Sequence, residues 1–334
     1  MVKKISILLF LIITSGYLLA QDIHFSQFYY SPLTLNPANT GRFDGDWRIS
    51  NIFRTQWGSI SKPYNTIAVG IDKRLNYFTQ KFGVGIYFLN DKSGSAELNA
   101  NKIMLSLAYH PVYMGVKISV GLQLGYVNKK YGSDITFPNQ YDRNIGQFNS
   151  QLPNNEKNLN ESVSYFDANF GFIASKRFGK ITPEFGYSIF HLNNPTEQFS
   201  TNKNRLPLRH IIHIGTKISL TEKVFVKPRL LYMNHKRAAD MVIGANFGYM
   251  LNDNAYKIKS IYFGPHVRTV LSQTDAFIFA FGLNFKNADA GISYDVNVSS
   301  LTPASSYRGA LEIFFIYRSK NTSAKKIAIP CDRF

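Results

Sequence analysis

From Trp47 onward, apolar and polar residues alternate with a period of two instead of recurring every three or four positions, which predicts strands rather than helices. In YFDANFGFIAS one face carries Phe166, Ala168, Phe170, Phe172 and Ala174, and the other Tyr165, Asp167, Asn169, Gly171 and Ser175. RHIIHIGTKISL sets Ile212, Ile214, Ile218 and Leu220 against Arg209, His213 and Lys217. VFVKPRLLY opposes Val224, Val226, Leu230 and Tyr232 to Lys227 and Arg229, and MVIGANFGYML opposes Met241, Ile243, Ala245, Phe247 and Tyr249 to Asp240, Gly244, Asn246 and Gly248. FIFAFGLNF lines up Phe277, Phe279, Phe281, Leu283 and Phe285 opposite Ile278, Ala280, Gly282 and Asn284.

A soluble sandwich alternates as well, with its apolar face inward. Here one face is large and aromatic while the other mixes charge with glycine, and the runs are long enough for a tilted bilayer crossing. The pattern therefore predicts an all-β transmembrane outer-membrane barrel. Its strands fall near 47–57, 64–74, 81–90, 98–109, 112–127, 163–175, 182–191, 207–219, 223–234, 239–251, 257–271, 275–286, 289–297 and 306–318. They make about fourteen antiparallel strands, an even number, which puts both chain ends on the periplasmic side. The odd-numbered connections then face outward, and the two longest, 128–162 and 192–206, are both odd.

A charge on the lipid face near midplane costs roughly 2–4 kcal/mol, so the strand charges belong in the lumen. The lumen candidates are Asp167, Arg209, His213, Lys217, Lys227, Arg229, Asp240 and Arg268. Pro228 and Pro265 fall inside strands of a barrel that has no edge to receive them, and bulges or interruptions are expected there.

The ends follow other rules. Residues 1–20 open with Lys3 and Lys4, continue apolar from Ile5 to Ile13 and finish YLLA, the layout of a secretory signal peptide. Residues 21–46 contain FSQFYYSPLTLNPANTG, whose Pro32 and Pro37 keep it out of the sheet and whose aromatics need a surface. That segment is expected to plug or line the barrel, or to meet a periplasmic partner. The barrel proper is 47–318, and 319–334 is a basic periplasmic tail carrying Cys331.

Composition narrows the function. The formal net charge is +17 with one cysteine, which excludes an internal disulfide. In an exported chain the charge points to anionic lipid headgroups, a polar lumen or an acidic partner, and not to nucleic acid. No HExxH, GxSxG or paired CxxC occurs, and no cofactor or metal is called for. His210 and His213 are three apart, on opposite faces of a strand, a poor metal pair. Asp295 in YDVN reads as part of a polar lumen stripe with Ser293 and Asn297 rather than as a catalytic acid.

Several stretches, in order, resemble the PorP/SprF family of outer-membrane proteins of the Bacteroidetes type IX secretion system. They are DIHFSQFYYSPLTLNPANTG, RTQWGSI, AVGIDKRL, FGVGIYFLNDKSG, ISYDVNVSSLTPASSYRGALEIFFIY and the closing IPCDRF. The resemblance is carried by residues such as Phe25, Asn36, Pro37, Gly41, Trp57, Asp72, Tyr294, Asp295 and Asn297. It implies a non-enzymatic component that works with the type IX machinery, and secretion or surface attachment of a large adhesin-like cargo through that cargo's C-terminal sorting domain. The other readings are a general diffusion porin or anion-selective channel, motivated by the basic lumen face, and a lipid-directed barrel enzyme. The missing nucleophile–base pair argues against the last.

Overall fold

The computed structural model describes residues 24–322 apart from 61, 78–79, 95–97, 133–140, 143–145, 149–151, 153–161, 200–203, 237, 252–256, 271–272, 301 and 321. The leader, and Cys331 with most of the tail, lie outside the described residues. Among the described residues fourteen long antiparallel strands close into one barrel. The first seven are β1 (Trp47–Gln56), β2 (Tyr64–Tyr77), β3 (Gln80–Ser93), β4 (Leu98–Tyr109), β5 (Val116–Lys130), β6 (Ser162–Ser175) and β7 (Glu184–Phe190). The others are β8 (Arg209–Gly215), β9 (Val224–His235), β10 (Ala238–Met250), β11 (Ile258–Val270), β12 (Gln273–Phe285), β13 (Ala288–Asn297) and β14 (Arg308–Arg318). Each pairs with its neighbours in sequence, and β14 returns to β1, with Arg48 opposite Arg318 and Gln56 opposite Ala310. Every wall strand therefore has two partners, which is what a sheet in hydrocarbon requires.

The alternation read from the sequence becomes the inside and outside of this wall. On β12 the rings of Phe277, Phe279 and Phe281 are exposed outward while Ile278 and Ala280 are buried inward. On β6 Phe166 points out at 74% exposure and Asp167 points in at 3%.

The strands depart from expectation in three places. The fifth strand begins at Val116, not at 112. Met114 and Gly115 both have positive φ (47° and 75°) and turn the chain so that Tyr113 pairs with Val116, a two-residue hairpin of the kind that matches strand twist. Its apolar Val112 and Tyr113 had merged with the strand in the period-two pattern. The eighth strand, expected to run to 219, stops at Gly215, and the ladder resumes only at Ile218–Ser219. The gap lies opposite Pro228, where Thr216 N–H still donates to the Pro228 carbonyl. Pro265 produces no bulge: the β10–β11 register is the same at Gly244/His266 and at Phe247/Phe263, with only the two pairs between them unformed. The described bulges occur instead in β11–β12, between Ile258 and Ser260 and between Arg268 and Thr269, and in β13–β14 at Asp295.

The outward face generates a direct test. Phe279 sits at the middle of β12, so Phe279→Arg should destabilise the barrel by roughly 2–4 kcal/mol in urea titrations from phosphocholine vesicles. Phe279→Leu is expected to lose far less, and equal stability of the two variants would contradict lipid exposure of this face.

Candidate functional site

The lumen is occupied by the chain's own N-terminal segment. Residues 24–46 contain three short turns of helix, Phe28–Tyr30, Pro32–Leu35 and Pro37–Asn39, where the sequence suggested no regular element. The prolines start turns here: each lies in the first turn, where a missing N–H leaves no helical bond unmade. Asn36 caps the third turn by accepting from Ala38 N–H at 2.9 Å.

The segment is tied to the wall at both ends and along its length. At the end of the barrel far from the chain termini, the two carboxylate oxygens of Glu312 on β14 accept the backbone N–H groups of Ser26 at 2.6 Å and Gln27 at 2.9 Å. The Ser26 hydroxyl donates to Asp295 on β13 at 2.7 Å. Two guanidinium groups balance these acids. Arg54 on β1 binds Glu312 and lies 3.2 Å from Asp295, and Arg268 on β11 reaches Asp295 at 2.8 Å and Asp275 at 2.7 Å. The bulges at Arg268 and Asp295 flank this cluster, and a bulge is a usual way to re-aim a side chain beside a functional site.

At the termini end, Gly41 adopts φ 71° and its N–H donates to Asp72 on β2 at 2.6 Å. Arg48 on β1 grips the same carboxylate through Nε at 2.9 Å and Nη2 at 2.8 Å, and also donates to the Asn39 carbonyl. His110 completes this seat. Its Nε2–H donates to the Thr40 carbonyl, which leaves Nδ1 to accept from the Ser119 hydroxyl, both at 2.8 Å. Burial holds the His110 ring below its ordinary value, with Arg42 and Arg74 adding to the effect.

Between the two ends the wall supplies both polar and apolar sockets. Gln123 donates to the Leu33 carbonyl at 2.8 Å and Ser188 to the Leu35 carbonyl at 3.0 Å. Asn36 Nδ2 lies within 3.2 Å of the Phe172 and Tyr187 carbonyls and of His213 Nε2. Tyr30 stacks on Phe314 at 3.6 Å, and the Arg229 guanidinium lies 4.2 Å from the centre of the Tyr29 ring. The Tyr29 hydroxyl accepts from Asn246 Nδ2 at 3.0 Å. Phe25, Tyr30 and Leu33 pack with inward residues including Ile52, Met104 and Phe314, and Phe28 and Leu35 pack with Phe190, Ile211 and Leu231. The lumen is thus not uniformly polar, because inward apolar side chains face the plug's own. At Gly121 on β5 the wall touches the plug backbone so closely that a Cβ would overlap the Pro37 carbonyl.

The residues singled out from sequence do not form one cluster. Phe25, Asn36, Pro37 and Gly41 belong to the plug, and Asp72, His213, Arg229, Arg268 and Asp295 are wall contacts to it. Arg209 lies over Phe190, while Lys217 and Lys227 lie over Phe225. Asp167 accepts from His191 Nδ1–H at 3.0 Å, and Asp240 is buried. Trp57 stands at the far rim against Tyr64, Tyr294 points outward, and Asn297 caps the turn after β13. Sequence reasoning missed Glu312 and Arg48 as plug contacts. Glu312 is the lone acid in LEIFFIY, on the same strand face as Phe314 and Ile316, and that phase was the available signal. Among the described residues no group of three His, Cys, Asp or Glu is arranged to hold a metal ion.

These features define an outer-membrane β-barrel filled by its own N-terminal segment. The family model described as type IX secretion system membrane protein PorP/SprF matches residues 18–317, and the chain belongs to that family. Among solved structures it is similar in fold to the toluene transporter TbuX of Ralstonia pickettii, with 11% identity, a TM-score of 0.52 and coverage of 87% of this chain and 94% of that one. It is also similar to the CymD monoaromatic hydrocarbon channel, with 10% identity, a TM-score of 0.50 and coverage of 87% and 93%. No curated protein matches the chain.

Two outcomes are expected from the plug contacts. Glu312→Ala leaves buried Arg54 with one acid instead of two and frees two plug N–H groups. It should destabilise the fold by about 3 kcal/mol and make a Ser26→Cys thiol, in a Cys331→Ser background, reactive to a membrane-impermeant maleimide. The His110 sign follows from its lowered value: the folded state disfavours the proton, so its contribution is present above the ordinary value of 6.5 and is lost as pH falls below it. A spin label at Asp44→Cys should gain mobility on acidification through that window, and His110→Asn should flatten the response.

Proposed function

We propose that this chain is a non-enzymatic outer-membrane component of the type IX secretion system that assists secretion or surface attachment of adhesin-like cargo while its own lumen is held shut. Family membership supports the secretion role. The observation that carries the closed lumen is the seated segment, with Ser26 and Gln27 fixed to Glu312 at one end and Gly41 to Asp72 at the other.

In this reading the chain termini face the periplasm: an even strand count puts both ends on one side, and the long odd-numbered connections support the opposite side as the outer one. The outward loops are then 131–161, which includes the Tyr141–Asp142 and Gln147–Phe148 pairing, and 191–208, which folds back through Thr196–Glu197 and Asn204–Arg205. They are the candidates for contact with the C-terminal sorting domain of the cargo. The tail 319–334 and the exit of the plug at 42–46 are the candidates for contact with periplasmic machinery, since the rest of the plug is buried. Lipid meets the outward aromatic face. The diffusion-porin and anion-channel readings lose their motive, because Arg268 and Arg54 are paired inside the barrel and the path is filled.

Deleting residues 22–41 and reconstituting the barrel in planar bilayers separates these readings. Full-length protein is expected to be electrically silent and the deletion to give discrete open-channel steps. A steady anion-selective current from the full-length protein would favour the porin. For cargo contact, removing loops 131–161 and 191–208 together should abolish surface detection of the cargo while leaving the barrel in the membrane, and normal display would refute that role.

A further inference from the structure

The termini end of the barrel contains an open cavity of about 750 Å³ whose lining is strongly one-signed. Its floor is the exit of the plug, Gly41 to Asp44, and its wall brings Arg74, Lys81, Lys117, Arg177, Lys180 and Lys217 around the space. Together with Arg42, these cations face two carboxylates, Asp44 and Glu184, and Arg42 already engages Glu184 at 2.7 Å. Lys81, Lys117 and Lys180 have no carboxylate partner among the described residues.

The arrangement of the charges decides what kind of anion fits. Arg74 is on β2, Lys81 on β3, Lys117 on β5, Arg177 and Lys180 between β6 and β7, and Lys217 just after β8. With β4, which lies between β3 and β5 and is followed by His110 of the lining but supplies no cation, these strands form the run β2 to β8 of the sheet. At about 4.8 Å per strand, the cations trace an arc of roughly 30 Å along the wall. A single phosphate needs donors converging on one point, whereas an arc of separated cations matches an extended chain carrying several negative groups. Lipid headgroups fit less well, because Ser119 and Ser175 in the lining are buried on the inward face, away from the outward side that meets acyl chains. Phe43, Val112 and Ile118 interrupt the charge with apolar surface that peptide side chains can cover.

We propose that this mouth is a binding site for an acidic peptide segment, laid in extended form along the arc with its carboxylates against the lysines. The site is separate from the sealed lumen above it and from the loops at the far end, and it stands or falls independently of the cargo role.

The test uses the full-length protein in detergent micelles with rhodamine-labelled hexaglutamate, read by fluorescence anisotropy. Hexaglutamate is expected to bind, hexaglutamine is not, and binding should fall steeply with added salt. The triple variant K81Q/K117Q/K180Q should weaken hexaglutamate binding about tenfold, since three exposed ion pairs are lost together. Heat-shifted mobility on gels checks that the variant barrel is folded. Should the variant fail to fold, lysine acetylation of the unaltered protein with mass-spectrometric readout replaces it, and hexaglutamate is expected to protect Lys81, Lys117 and Lys180. Unchanged affinity in a folded triple variant, or no protection, would overturn the proposal. Displacement of the peptide by equimolar pyrophosphate would overturn it in favour of a small-anion site, and displacement by phosphatidylglycerol vesicles in favour of a headgroup site.

Discussion

A buried carboxylate accepting two backbone N–H groups of a non-sheet segment is the contact on which this structure turns. Glu312 does this for Ser26 and Gln27, and at the other end Asp72 accepts one plug N–H, that of Gly41. Backbone groups inside a membrane-depth lumen must be bonded, because an unsatisfied one costs several kcal/mol. A proline-broken chain has no ladder of its own there, so the wall has to provide the acceptors. Each acid is in turn neutralised by arginine, Arg54 for Glu312 and Arg48 for Asp72. Remove the segment, and those ion pairs face an empty or flooded channel.

Buried ion pairs are weak evidence for stability, since desolvation offsets much of the attraction. Their value here is positional. The apolar sockets around Tyr30 and Leu33, and around Phe28 and Leu35, supply attraction without direction. The carboxylates and Asn36 fix which residue sits where, and Gly121 lets wall and plug approach to backbone contact. A barrel whose lumen holds its own N-terminal segment has its interior packed with side chains instead of water.

Much of the wall was legible because lipid enforces a simple rule. A strand with hydrocarbon on one side must keep period two, and Phe277, Phe279 and Phe281 announce β12 unaided. Strand count and parity followed. The errors lie where a local rule overrode the pattern: Met114–Gly115 turned an apolar run into a hairpin, and Pro228 interrupted its neighbour instead of its own strand. The plug was legible as a segment unfit for the sheet that would plug or line the barrel or meet a periplasmic partner, but its seat was not. Its seat depends on contacts between residues up to 286 positions apart, as with Ser26 and Glu312, and no short-range pattern encodes such a pairing. Inward apolar residues such as Ile52 and Ile278 were likewise unreadable as plug contacts without knowing that the lumen is filled.

The most direct test of the account is amide hydrogen exchange on the full-length protein in micelles, resolved at Ser26, Gln27 and Gly41. The account requires these three amides to be protected to the same order as the wall strands. Exchange at the rate of a free peptide, with the wall still protected, would contradict it.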